Sequence, residues 1–216
     1  VFPIPAENLD GEGSFMTRTV GIFIFDEMEV LDLGGPFEVF STASRVRERL
    51  QPNEPPPFDV FTVAETLGTV RARAGLKLMP HFAMDEHPAI DILVIPGGVV
   101  TSVMQQENVI HWISRIGSQA SLTASVCTGA FLLAKAGLLD GKPATTHWED
   151  LDDLQRLFPS IQVISEQRWV DTGQIVTSAG ISAGIDMCLH LVARLEGIEL
   201  ANLTARQMEW LATTPQ

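Results

Sequence analysis

Two cysteines and a few glycine turns carry most of the chemistry open to this 216-residue chain. Cys127 stands between an apolar stretch, residues 122–126, and a helical pattern over 128–136. A thiol at such a junction meets the backbone N–H groups of a helix start. These favour a thiolate and are expected to lower its pKa. The small neighbours Ser125, Gly129 and Ala130 permit the tight turn of a nucleophile elbow. The competing reading is a buried structural thiol, the commonest state of a free cysteine. Cys188 fits that description, lying mid-helix in register with Ile181, Ile185, Leu189 and Val192.

Asp32 has two readings. Flanked by Leu31 and Leu33 just before a predicted helix, it serves either as a helix-end charge or cap, or as a general acid/base opposite Cys127. Apolar flanks imply partial burial, which raises a carboxyl pKa. Gly97 and Gly98 follow an apolar run and let backbone amides approach a reacting atom closely. The amides of Gly98 and Thr128 are expected to form an oxyanion-type hole, each donor typically worth about 3 kcal/mol in a transition state. His147 either orients or deprotonates Cys127, or caps the helix that follows. His81, His87 and His111 sit in polar stretches and read as surface residues, and His190 reads as structural. No His, Cys or carboxylate spacing argues for a metal, and Gly34-Gly35 lacks both phosphate-cradling patterns. No cofactor is expected.

The elements that must position these groups alternate between strand and helix. Residues 20–25, 58–64, 90–95 and 122–126 are short apolar runs, the pattern of strands buried on both faces. Helices are predicted over 36–49, 108–119, 128–136, 149–157, 181–195 and 200–211, the first opening at Pro36 because proline suits a first turn. Two short strands are predicted around Gly75, and others over 144–146, 163–165, 168–170 and 174–177, the last two joined by a hairpin turn at 171–173. The alternation predicts an α/β fold, a mostly parallel sheet with helices on both faces. Ligands of such sheets bind at the carboxyl ends of the strands. The segments carrying Asp32, Gly97-Gly98 and Cys127 all fall there.

Composition narrows the function classes. Hydrophobic residues make up 45% and charged residues 19%, so the chain can bury a full core. The net charge of -13 repels phosphate backbones and argues against nucleic acid as a partner. No run of 18 apolar residues is present, so no membrane span is expected. Cysteines outside metal or redox spacings point to a reducing, cytoplasmic compartment. Residues 1–15 lack periodicity and are expected to be an expression-derived or disordered leader. Met16 would then be the native start and residues 16–216 one domain.

The combination resembles the ThiJ/PfpI superfamily over about residues 19–210. The carriers are Leu31-Asp32-Leu33 with Gly35-Pro36, the run from Asp91 to Gly98, Ser125-Val126-Cys127-Thr128-Gly129-Ala130, Ala144-Thr145-Thr146-His147-Trp148, and Ser178-Ala179-Gly180-Ile181-Ser182-Ala183-Gly184-Ile185-Asp186. The resemblance implies a flavodoxin-like sheet like that of class I glutamine amidotransferases. It also implies a homodimer, and Cys127 as nucleophile. Within the superfamily the likeness is to isonitrile hydratases and to sensor domains of AraC-type regulators. The chain's length favours the stand-alone enzyme form. Thr128 follows the cysteine where the protease branch has His. His190 begins no His-x-Glu as glutaminases require, and Asp32 stands where the deglycase branch has Glu. The activity implied is a hydro-lyase (carbon-oxygen lyase) reaction on a small molecule, water adding to an isonitrile. Asp32 would move the protons, and Thr128 and Gly98 would assist. Two alternatives stay open: another small-molecule cysteine enzyme, such as a glyoxalase or an amide or imine hydrolase, and a non-catalytic ligand or stress sensor.

Overall fold

In a computed structural model, residues 16–211 are described; the leader expected over residues 1–15 lies outside them. The first half of the chain forms β1 (Arg18–Phe23), α1 (Val30–Leu50), β2 (Phe58–Ala64), β3 (Val70–Arg71), β4 (Lys77–Leu78), β5 (Phe82–Ala83), β6 (Ile92–Ile95) and α2 (Glu107–Gln119). The second half forms β7 (Leu122–Ser125), α3 (Gly129–Lys135), β8 (Pro143–Ala144), α4 (Leu151–Leu157), β9 (Gln162–Val163), β10 (Trp169–Asp171), β11 (Ile175–Ser178), α5 (Ala183–Glu196) and α6 (Ile198–Gln207).

Seven strands make one sheet in the order β10-β11-β7-β6-β1-β2-β5. All neighbours are parallel except the β10–β11 hairpin, Trp169 opposite Ser178. Of the apolar runs read as doubly buried strands, β6 and β7 are buried throughout, while β2 exposes Asp59 near its start. From β1 the chain first steps outward to β2, and later returns on the other side of β1 through β6 and β7. Right-handed crossovers running in opposite directions put their helices on opposite faces. Accordingly α1, α5 and α6 pack together as one layer, and α2 packs on α3 in the other. The reversal point lies between β1 and β6, where a crevice opens at the carboxyl ends.

The helix stripes follow the predicted periods. Val109, Trp112, Ile113 and Ile116 of α2 are buried, as are Val39, Phe40, Ala43 and Val46 of α1. Burying each large side chain of this kind contributes about 1.5–3 kcal/mol.

The head of α1 differs from the sequence reading. The helix begins at Val30, six residues before Pro36, which lies inside it. Pro36 cannot donate to the carbonyl of Asp32 one turn back, so helix propensity alone would not carry the chain through. Tertiary packing does. Gly35 lies so close to α5 that a Cβ there would be 2.9 Å from Ile185 Cγ1. Asp32 therefore sits in the first turn of a helix rather than ahead of one. The predicted strand over 144–146 shrinks to β8, because Thr145 and Thr146 bond elsewhere: the Thr145 N–H donates to Thr177 Oγ1 and the Thr146 hydroxyl to the Cys127 carbonyl.

Candidate active site

Cys127 occupies the turn between β7 and α3 with φ of 54°, a left-handed conformation that non-glycine residues rarely adopt. The surroundings hold it there. Its N–H faces the carbonyls of Ser178 and Ala179, both at 3.2 Å, and its own carbonyl accepts the Thr146 hydroxyl at 2.8 Å. Helix α3 can start this close to the sheet only through Gly129, where a Cβ would lie 2.2 Å from the Ile95 carbonyl oxygen. Strain that the fold sustains at one side chain is typical of sites where that side chain acts.

Thr128 fastens the elbow to the neighbouring turn. Its hydroxyl donates to the Gly98 carbonyl at 2.9 Å and accepts the Gly98 N–H at 2.8 Å. The Gly98 amide is thus engaged, and the sequence expectation of an open oxyanion donor there does not hold. Gly98 serves shape instead: at φ 137° it passes the turn at Glu27, whose carbonyl oxygen would lie 2.4 Å from a Cβ. Gly97 is spoken for as well, its N–H donating to Asp32 Oδ2 at 3.0 Å. A Cβ on Gly97 would sit 2.6 Å from both Thr128 N and Thr128 Oγ1 and 3.0 Å from Asp32 Oδ2. These two glycines are the floor on which Asp32 and Thr128 meet.

Asp32 is fully buried. Its side chain accepts the Gly97 N–H and lies beside the Cys127 thiol, not on its own helix, so the capping alternative is not the one realised. Oδ1 is buried with no hydrogen-bond partner. Burial raises its pKa to about 7; the Gly97 N–H opposes this, the charge of Glu29 adds to it, and the Cys127 thiol opposes it. The Cys127 thiol is pushed up to about 12, first by burial and then by the Asp32 charge, against the amides of Thr128 and Ile181 and the Thr128 hydroxyl. The lowered thiol pKa expected from a helix start is therefore reversed. Helix α3 has only seven residues, and desolvation beside a carboxyl outweighs its dipole. Burial thus disfavours the charged form of both groups, and the carboxyl beside the sulfur opposes a standing thiolate.

Ile181 is the site residue that sequence reasoning missed. It lies in the β11–α5 loop with φ of 47°, a second strained residue whose amide acts on the sulfur. With the Thr128 amide it makes the pair of donors expected of Thr128 and Gly98. The signal was present in Ser178-Ala179-Gly180-Ile181, a run of small residues before a helix, but Ile181 read as a core position of that helix. His147 supports this loop from behind. Its ring packs where a Cβ on Gly180 would stand, 2.1 Å from Cδ2. Its Nδ1 accepts the Glu149 N–H at 3.3 Å, so the capping alternative is the one realised.

A cavity of about 350 Å³ lies at the ends of β1 and β2, lined by Phe25, Glu27, Thr69, Val99, Val103 and Gln106 among others; Cys127 and Asp32 do not line it. Among the described residues, no three His, Cys, Asp or Glu side chains gather as metal ligands, and no helix is long and apolar enough to cross a membrane.

A doubly wound sheet with a strained cysteine at a strand-to-helix elbow, and a buried carboxyl beside its thiol, defines an α/β protein of the nucleophile-elbow type. The chain belongs to the DJ-1/PfpI family, whose profile matches residues 18–194. It is 34% identical over 202 residues to the isonitrile hydratase of Pseudomonas putida, covering 93% of this chain and 82% of that one. It is 29% identical over 184 residues to the HTH-type transcriptional regulator GbdR of Pseudomonas aeruginosa, covering 85% of this chain and 48% of the regulator. Among solved structures, a ThiJ/PfpI family protein from Pseudomonas syringae superposes with a TM-score of 0.80 at 27% identity, over 99% of this chain and 84% of that one.

Proposed function

We propose that this protein is an isonitrile hydratase, adding water to the terminal carbon of a small isonitrile to give an N-substituted formamide. The observation that carries the reading is the Asp32–Cys127 pair: a buried carboxyl beside the thiol, with its second oxygen free and its pKa near neutrality. An isonitrile needs a nucleophile at carbon and a proton at that same carbon, and this pair supplies both. Cys127 Sγ attacks the carbon while its proton passes to ionised Asp32, and Asp32 delivers that proton to the carbon. The product is a thioimidate, R–N=CH–S–Cys127. Asp32, ionised again, takes a proton from water as its oxygen adds to the thioimidate carbon, and passes that proton to the nitrogen. The hydroxyl proton then moves to Asp32 as the carbonyl forms and the C–S bond breaks, Asp32 returns it to the sulfur, and R–NH–CHO leaves. The amides of Thr128 and Ile181 steady negative charge on sulfur in both halves. No step draws on a cofactor. The protein acts on small molecules, as a homodimer in the cytoplasm.

The reading is tested by incubating purified protein with aliphatic and aromatic isonitriles and measuring N-formamides by mass spectrometry. Product formation is expected from the protein as it stands. The likeness to a regulator over 184 residues favours a second reading, a ligand sensor without turnover. Its mark would be saturable binding of an isonitrile or other electrophile with no formamide released.

A further inference from the structure

Asp32 shares the head of α1 with a second acid. Glu29 stands one helical turn before it at the N-cap position, and its charge favours the protonated form of Asp32. The backbone of Glu29 is fixed on both sides. Its N–H donates to the Gly97 carbonyl at 2.8 Å, and its carbonyl accepts the Asp32 N–H at 3.1 Å. Its carboxylate pairs with Arg73 Nη1 at 3.4 Å. Arg73 sits on the single 3-10 turn between β3 and β4, a two-stranded hairpin outside the main sheet. That hairpin is tied to the same stretch of chain three more times. The Arg73 N–H donates to Met28 O at 3.0 Å, the Glu27 N–H to Arg71 O at 2.8 Å, and the Arg71 N–H to Asp26 Oδ1 at 2.7 Å.

We propose that Glu29 and Arg73 are paired positioning residues that set how readily Asp32 holds the proton it exchanges with Cys127. The groups acting on Asp32 come from three directions: the Gly97 N–H from the β6 turn, Cys127 from the elbow, and Glu29 from the head of its own helix. Gly97 is neutral, and Cys127 is the proton's other holder. Glu29 is the one permanent charge among them. An unpaired Glu29 drives the proton onto Asp32, and Arg73 at its carboxylate weakens that push. The reaction needs Asp32 ionised to take the thiol proton and protonated to deliver it, so a pair that balances the two forms serves both halves. This role in turnover rests on the hydratase reading; the charge coupling itself does not.

The test follows the Asp32 carboxyl directly. The infrared band of its protonated form, isolated by subtracting the spectrum of an Asp32→Asn variant, is recorded across pH in the otherwise unmodified protein. Glu29→Gln is expected to move the midpoint to lower pH by about half a unit. Arg73→Gln is expected to move it to higher pH by a similar amount, and to move it little when Glu29 is already Gln. A merely structural role for the hairpin predicts shifts in one common direction, or none, and either result overturns the proposal. So does an Arg73→Gln shift of the same size in the two backgrounds. The isonitrile assay is scored separately. Opposite shifts without turnover uphold the pair and sink the hydratase reading; turnover without opposite shifts does the reverse.

Discussion

At the scale of the residue, the site is a contest over one proton. Asp32 has a folded-state pKa of about 7 against an ordinary 3.8, so the folded protein binds a proton more tightly than the unfolded chain. Stability from this group is fully present below about pH 4 and is lost as pH rises through 7. The loss is on the order of 4 kcal/mol. Thermal melts of Asp32→Asn at pH 8 are therefore expected to show a higher midpoint than the wild type, with the advantage vanishing by pH 4. Activity should respond in the opposite sense. Ionised Asp32 is needed to receive the thiol proton, so kcat/KM for an isonitrile should rise with pH through a midpoint near 7. In Asp32→Asn the rate should fall by about 10²–10⁴-fold and that inflection should disappear. Burial of Asp32 was legible from its apolar flanks. The raised thiol pKa of Cys127 was not, because it depends on a carboxyl 95 residues away in sequence and on the depth at which both lie.

At the scale of the element, the site is three loops fastened together. Thr128 makes the decisive fastening, its hydroxyl bonding both the N–H and the carbonyl of Gly98. Thr128→Val keeps the shape but leaves those two partly buried polar groups unpaired, at about 1–3 kcal/mol. Urea unfolding is expected to show that loss, with turnover reduced in the same variant, and Thr128→Ser should restore both. Strand identity and the shared carboxyl edge were readable from apolar runs ended by Gly97-Gly98 and Cys127. The start of α1 was not, since Pro36 is a legitimate first-turn residue and only packing against Ile185 shows that the helix runs through it. Ile181 was missed for a related reason. Its hydrophobic side chain reads as core, whereas its contribution is a backbone amide, and side-chain type says nothing about where an amide points.

At the scale of the whole molecule, the two ends of the described chain close over the sheet. Glu196, at the end of α5, bonds Arg18 of β1 and Arg47 of α1, the latter at 3.1 Å. Both Glu196 and Arg47 are largely shielded from solvent, at 10% and 11% side-chain exposure. Glu196 is the carboxylate these two arginines share, while Arg47 also lies 4.0 Å from Glu54, so Glu196→Gln should lower the unfolding free energy by about 1–3 kcal/mol. The cluster lies far along the chain from the elbow, and turnover per folded molecule should be unchanged. The α/β class and its layers were legible from the alternation of elements alone. The order of strands was not, because periodicity shows which residues are buried and not which strands are neighbours.

Hydration of an isonitrile by this protein requires Cys127 to act as a nucleophile toward the isonitrile carbon. The measurement that reaches this most directly is the rate of N-formamide formation at pH 8 by the wild type and by a folded Cys127→Ala variant. The wild type is expected to turn over an aliphatic or aromatic isonitrile, and Cys127→Ala to give product no faster than buffer. Equal turnover by the two proteins, or no formamide from the wild type with any isonitrile, would contradict it.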